Sequence, residues 1–413
     1  KLRIMKKIYL TLIAFSLINI SNAQSWIQQD NQTLNKINTI GFTQNNMTGW
    51  TFGDSTIGLN FQHGAIYKTT NQGFSWSQQN MGSDSIQIMD CHVFSNSEVI
   101  GVGKFQTTGD GAIIKTVNGG LTWNIDTTSI PDRVFDVEFE SSSDGWIVGR
   151  NGYVGKSIDG GDNWTSQTSG TGEDLFAISF SSLTNGWAVG ADGGTGGEIL
   201  HTVDGGITWN LQSTTSTGDL TGVFAINSDS AYIVGQSGLI LFTSDAGVNW
   251  STQTSGSTSD LSDVEFANGL EGRAVGLGGL VLMTIDAGTN WSIEVSNTTN
   301  DISDVFYGAN GVNWYCGDNG DVYIYTLVAP NSIEENLSVV SKVYPNPAID
   351  YIQIETSMSN SSEIKIYNLT GRLVFQTNWN KTSMIDISEY NPGMYFYVLK
   401  SENTLSSGKF VKK

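Results

Sequence analysis

Thr202-Val203-Asp204-Gly205-Gly206-Ile207-Thr208-Trp209 decides the fold, because its pattern, Ser/Thr-x-Asp/Asn-x-Gly-x-x-Trp, occurs six times in the chain. The other copies are Thr69-Asn71-Gly73-Trp76, Thr116-Asn118-Gly120-Trp123, Ser157-Asp159-Gly161-Trp164, Thr243-Asp245-Gly247-Trp250 and Thr284-Asp286-Gly288-Trp291. Successive tryptophans lie 47, 41, 45, 41 and 41 residues apart. A period of about 40–50 residues made of short strands is the mark of a propeller. Within each box the Asp or Asn side chain can bond turn amides, and glycine permits a positive φ. These residues are therefore read as structural, not catalytic.

Two further patterns precede each box. One is an apolar run ending in glycine, such as Gly145-Trp146-Ile147-Val148-Gly149 or Gly186-Trp187-Ala188-Val189-Gly190. It occurs seven times, ending with Asn313-Trp314-Tyr315-Cys316-Gly317. The other is a short apolar strand such as Val137-Glu138-Phe139. Each unit thus reads as four strands, the box forming the last hairpin. Seven second strands against six boxes leave one outer strand missing, and Ser25-Trp26-Ile27-Gln28 resembles Trp76-Ser77-Gln78-Gln79. The expectation is an all-β chain, a seven-bladed β-propeller over residues 24–327 whose N-terminal strand closes the last blade. A small C-terminal Ig-like β-sandwich is expected over 341–413, where stretches such as Tyr351–Glu355 alternate apolar and polar residues.

The chain carries 20 basic and 40 acidic residues among 413. Residues 1–24 hold four basic and no acidic groups, and 331–413 hold eight of each, so 25–330 holds 8 basic and 32 acidic residues. Such a body repels nucleic acid and anionic membranes, and a soluble monomer is expected. Cys91 and Cys316 fall in units two apart, on different strand types, and read as free thiols. His63, His92 and His201 show no ligand spacing.

Residues 1–23 read as a signal peptide: Lys6-Lys7, the apolar run Ile8–Ile20, then Ser21-Asn22-Ala23. Cleavage between Ala23 and Gln24 is expected. The run is too short to span a bilayer, so no membrane insertion follows. Residues 328–340 are read as a linker.

The boxes resemble the Asp-box (BNR) repeats of sialidases, and the whole unit is similar to the photosystem II assembly-factor propellers. That resemblance implies a fold more than an activity. Residues 341–413 resemble the type A C-terminal sorting domain of the type IX secretion system. The matching residues are Tyr344-Pro345-Asn346-Pro347, the segment ending Gly371-Arg372, Gly393-Met394-Tyr395-Phe396 and Lys409–Lys413. The resemblance implies export to the outside or the outer surface of a Gram-negative bacterium, with the secretion machinery and its sortase as partners.

No catalytic constellation is visible. Sialidase chemistry needs an arginine triad, whereas the propeller region holds only Arg133, Arg150 and Arg273 and lacks the Arg-Ile-Pro signature. No nucleophile elbow, zinc-protease helix or phosphate loop occurs. Acidic residues are too many to rank a glycosidase pair. Asp90, Asp136, Asp263 and Asp304 occupy equivalent inner-strand positions, and Asp174, Asp219, Asp260 and Asp301 lie in the loops leading in. They are candidate Ca²⁺ ligands, against the plainer reading of a solvated acidic mouth. No cofactor is otherwise expected. The leading reading is a non-enzymatic binding or scaffold propeller for a glycan, protein or extracellular polymer. Its binding face would be made of inter-blade loops and loops such as Gly190–Gly197. The alternatives are a secreted glycoside hydrolase and a chaperone-like assembly factor.

Overall fold

The computed structural model describes residues 24–29, 36–56, 62–82, 85–126, 130–190, 196–214, 216–327, 341–356, 362–368, 373–379, 384–400 and 405–413. The expected signal peptide and the expected linker lie outside these residues. The chain divides into two compact units, Lys1–Val328 and Ala329–Lys413.

In the first unit the described residues form seven four-stranded antiparallel sheets. Sheet I comprises Ile37–Phe42, Gly49–Thr56, Gln62–Thr69 and Ser77–Gln79. Sheet II comprises Ile86–Val93, Val99–Phe105, Gly111–Thr116 and Asn124–Asp126. Sheet III comprises Val134–Phe139, Gly145–Gly149, Val154–Ser157 and Thr165–Gln167. Sheet IV comprises Leu175–Phe180, Gly186–Gly190, Glu198–Thr202 and Asn210–Gln212. Sheet V comprises Leu220–Ala225, Ala231–Gly235, Leu239–Thr243 and Ser251–Gln253. Sheet VI comprises Leu261–Phe266, Gly272–Gly276, Leu280–Thr284 and Ser292–Glu294. Sheet VII takes Ile302–Tyr307, Asn313–Gly317 and Val322–Leu327 from one end of the repeats and Gln24–Gln28 from the other. Trp26 pairs with Tyr325 and Gln28 with Tyr323.

The first strand of each sheet packs on that of the next, and Ile302–Tyr307 packs on Ile37–Phe42, so the circuit is closed. No sheet is wide enough to hide its own faces. Each apolar cluster is accordingly shared by two neighbours. Trp146, Val148 and Val154 of sheet III join Leu175, Ile178 and Phe180 of sheet IV. Trp314, Cys316 and Ile324 of sheet VII join Ile37, Ile40 and Phe42 of sheet I. The second-strand aromatics carry this packing. Trp146 stacks on Phe180 at 3.7 Å and Trp314 on Phe42 at 3.9 Å between ring centres. Trp50, Trp146, Trp187 and Trp314 are fully buried, whereas the box residue Trp164 is only half-buried.

The glycine that ends each second strand follows from a close approach. A Cβ at Gly190 would sit 1.9 Å from the Asp174 carbonyl oxygen. Any side chain there would push the second strand off the first.

The second unit has a three-stranded sheet of Ser341–Tyr344, Tyr351–Thr356 and Met384–Asp386. A four-stranded sheet of Leu373–Trp379, Ser362–Asn368, Gly393–Lys400 and Leu405–Lys412 completes it. Ile352, Ile354, Ile364, Ile366, Leu399 and Phe410 form one core between them. Asn346 Oδ1 accepts from the Val411 amide at 2.9 Å, and Ala348 N donates to the Val411 carbonyl at 2.7 Å. Tyr344 and Pro345 through Pro347 are exposed, and Gly393 opens its strand. Gly371 and Arg372 lie outside the described residues.

Candidate functional site

The boxes are saturated turns. Thr202 Oγ1 donates to Asp204 Oδ1 at 2.9 Å and accepts from the Gly206 amide at 2.9 Å. Asp204 Oδ1 also accepts from Thr208 N at 2.8 Å, and Oδ2 from Thr208 Oγ1 at 2.7 Å. Gly206 has φ +85°. The same bonds recur at Ser157-Asp159, Thr243-Asp245 and Thr284-Asp286, with an amide in place of the acid at Thr69-Asn71 and Thr116-Asn118. Bonds from Thr208, first the amide and then the hydroxyl, hold the Asp204 carboxyl below its ordinary range.

The inner-strand acids are committed to the joints between sheets. In four first strands the register shifts at an aspartate, Asp90, Asp136, Asp263 and Asp304. The carboxylate there accepts a backbone amide from the next sheet. Asp90 takes Val137 N at 3.0 Å, Asp136 takes Ile178 N at 2.6 Å, and Asp263 takes Val305 N at 3.1 Å. Asp304 takes Ile40 N at 2.8 Å, across the closing joint. Glu138 and Glu265 do the same one step along the strand, to Phe180 N at 2.5 Å and Tyr307 N at 2.7 Å. Burial, then the nearby charge of Asp90, drives the Asp136 carboxyl well above its usual range. Burial and then Asp263 do likewise to Asp304. Burial pushes Glu265 up to about 8. Among the described residues no group of three or more His, Cys, Asp or Glu is placed to hold a metal ion. Each of the four aspartates accepts one backbone amide across a joint between sheets.

Three of the loop acids reach the preceding sheet, and the fourth bonds within its own. Asp174 accepts from Asn151 N at 2.9 Å, Asp260 from Ser237 N at 2.7 Å and Asp301 from Gly278 N at 2.8 Å. Asp219 accepts from Gln236 Nε2 at 2.8 Å. Each donor sits in the turn after a second strand of the preceding or same sheet.

The basic residues are distributed quite differently from the acidic ones. Lys68, Lys115 and Lys156 reach carbonyls of the next sheet's box, at Gly119, Gly160 and Gly205, over 2.8, 2.8 and 2.9 Å. Arg273 is wholly buried. The remaining four, Lys36, Lys104, Arg133 and Arg150, all fall on one end of sheets I to III. Lys36 and Arg133 precede first strands, and Lys104 and Arg150 stand at the ends of second strands. Burial and then the Arg133 charge lower the Lys104 pKa, so these cations feel each other. Arg133 reaches from sheet III to the first strand of sheet II. Its Nη2 lies 3.2 Å from Met89 Sδ, its guanidinium covers Phe135 at 4.7 Å, and its buried Nε has no partner. Phe135 meets Phe176 edge-on at 5.2 Å. Beside them a cleft lined by Lys36, Thr51, Asp54 and Tyr67 carries two unpartnered buried oxygens, Thr51 Oγ1 and Asp54 Oδ1.

The result is a quadrant that gathers four of the unit's cations beside Asp54, Asp174 and Asp318, with Lys36 4.0 Å from Asp318 and an apolar floor of Phe135, Phe176 and Met89. Its electrostatics suit an anionic segment with apolar neighbours. Residues 191–195 of the Gly190–Gly197 loop are outside the described residues. The quadrant itself was not anticipated. Its four residues are up to 114 positions apart, Lys36 to Arg150. The available signal was their equivalent placement at strand ends within the repeat.

A model of the PSII_BNR family, photosynthesis system II assembly factor YCF48, matches residues 13–154 and 123–400. No curated protein sequence matches. Among solved structures, YCF48 bound to a D1 peptide superposes with a TM-score of 0.59 at 15% identity, covering 73% of this chain and 94% of that one. The WD40 β-propeller domain of Doa1 gives 0.55 at 10% identity, covering 73% and 96%. PorZ of Porphyromonas gingivalis, described as an essential bacterial surface component of the type-IX secretion system, gives 0.52 at 15% identity. This chain is covered to 92% in that match but spans only 59% of PorZ. At these identities the structural likeness is one of fold.

Proposed function

The chain belongs to the YCF48-like photosystem II assembly-factor family, and from that premise we propose that it is a non-catalytic, protein-binding β-propeller. The seven sheets are read as seven blades, and the cationic quadrant as the place where an acidic, partly apolar polypeptide segment docks. The observation that carries this reading is the convergence of Lys36, Lys104, Arg133 and Arg150 beside Phe135, Phe176 and Met89, in a unit with a large acidic excess. The D1 peptide bound to YCF48 supports a peptide as the class of ligand. The D1 peptide itself does not carry over, since fold likeness leaves the partner open.

Export completes the proposal. Residues 1–23 are taken as a signal peptide cleaved between Ala23 and Gln24, 24–327 as the propeller, and 328–340 as a linker. Residues 341–413 are taken as an Ig-like sorting domain for type IX secretion. The PorZ likeness is in keeping with a place at the cell surface. The type IX machinery and its sortase would then be partners, and the product a secreted or surface-held protein of a Gram-negative bacterium.

The test is a titration of the intact chain with a fluorescent peptide alternating Glu and Phe, beside its Gln-Phe counterpart, at low and high salt. The Glu peptide is expected to bind, salt to weaken it, and Arg133→Gln with Lys104→Gln to lose about tenfold or more, about 1.4 kcal/mol. Equal binding of both peptides, or no effect of the two substitutions, would sink the reading.

A further inference from the structure

Sheet VII holds its outer strand differently from the other six. In sheets I to VI the outer strand follows the third through a short box turn, so it is tethered beside its partner. In sheet VII the outer strand Gln24–Gln28 arrives from the opposite end of the repeats. Placing it carries a loop-closure cost that the tethered strands do not have.

That joint also has its own chemistry. At two preceding joints the indole of the incoming outer-strand tryptophan donates to a neutral glutamine. Trp250 donates to Gln212 at 3.2 Å and Trp291 to Gln253 at 2.8 Å. Where sheet VII meets sheet VI the equivalent residue is Glu294, whose Oε2 accepts from Trp26 Nε1 at 3.1 Å and from Arg273 Nε at 2.9 Å. Arg273 occupies the second-strand position that holds Trp50, Ile100, Trp146, Trp187, Tyr232 and Trp314 elsewhere. It covers the Tyr325 ring at 4.0 Å and donates to Tyr307 Oη at 2.7 Å. Asn297 Nδ2 holds the Trp26 carbonyl at 2.6 Å.

A carboxylate accepts a stronger bond than an amide does. A buried ion pair adds little stability over apolar packing, but it fixes geometry and selects its partner. A glutamate aligned by an arginine presents one acceptor oxygen at one place, and an indole N–H fits it. Both the charge and the exchange of an aromatic for arginine occur where the strand is untethered.

We propose that the Val322–Leu327 edge, backed by Glu294 and Arg273, is a strand-acceptor site for an untethered extended segment bearing tryptophan. The chain's own Gln24–Gln28 fills it, and the same segment supplied in trans fits it too. Glu294 and Arg273 are positioning residues for that strand.

The experiment uses the chain lacking residues 24–28 and a synthetic peptide of residues 24–29. The peptide is expected to bind with one-to-one stoichiometry and raise the melting temperature of the shortened chain. Trp26→Phe in the peptide, which removes the indole donor together with part of the ring, is expected to weaken binding about tenfold or more. Glu294→Gln in the chain should do the same. In case the shortened chain does not fold, hydrogen exchange on the full-length chain gives a second reading. Glu294→Gln is expected to speed exchange at Trp26–Gln28 about tenfold while leaving the outer strand of sheet IV unchanged. Indifference to both substitutions, in either experiment, overturns the proposal.

Discussion

Trp146→Ala is expected to lower the stability of the first unit by about 4 kcal/mol, read as a drop in the urea midpoint. The side chain is fully buried, stacks on Phe180 of the next sheet, and donates from Nε1 to the Gly205 carbonyl at 3.1 Å. Lys156 lies over its other side at 5.0 Å from the ring centre. Removing it empties the shared core of sheets III and IV and strands a lysine stem. Trp164, the box tryptophan of the same sheet, is half-buried and its Nε1 has no partner. Trp164→Ala is expected to cost about half as much. An equal loss for both would show that the boxes, not the second strands, carry the core.

Stability is also expected to fall as the pH rises from about 5 to 9. The buried carboxyls of Asp136, Glu138, Glu265 and Asp304 all have folded pKa values above their ordinary ones. The folded state therefore holds protons that the unfolded chain releases. Their contribution is fully present below the unfolded pKa and lost as the pH passes the folded one. For Glu265, which goes from 4.5 to about 8, the window is pH 4.5 to 8. A shift of that size is worth at most about 5 kcal/mol across the window. Glu265→Gln keeps an oxygen for the Tyr307 amide and removes the charge. It is expected to flatten the profile and raise the melting temperature at pH 8. A wild-type profile that rises through this window would contradict the assignment. The usual expectation for an acidic protein, greater stability away from acid, has the opposite sign.

The repeat spacing made much of this legible before any coordinates. Thr202, Asp204, Gly206 and Trp209 mark a turn because their bonds are local, within a few residues. The place of Ser25–Gln28 on the last sheet was legible by elimination, from one missing outer strand and one spare segment. What escaped the sequence depends on neighbours far along the chain. Asp90 and Asp136 look like ligands in a list of acids. Only the register shift in each first strand shows them capping the next sheet's amides. Lys36, Lys104, Arg133 and Arg150 look scattered until the ring brings their strand ends to one face. Trp50, Trp146, Trp187 and Trp314, on the second strands, are fully buried, whereas the box residue Trp164 is only half-buried. Second strands are covered on both faces by neighbouring sheets, while outer strands keep one side in water. Arg273 at an aromatic position was visible in the alignment, but its partner Glu294 was not.

The closed ring is tested most directly by pairing cysteines at Ser25 and Thr326, which face each other across the last two strands of sheet VII. A ring closed by its N-terminal strand predicts a disulfide within one chain, formed in nearly every molecule, and a higher melting temperature when oxidised. Failure of the bond to form, or its formation only between two chains, would show that the first strand does not complete the last sheet.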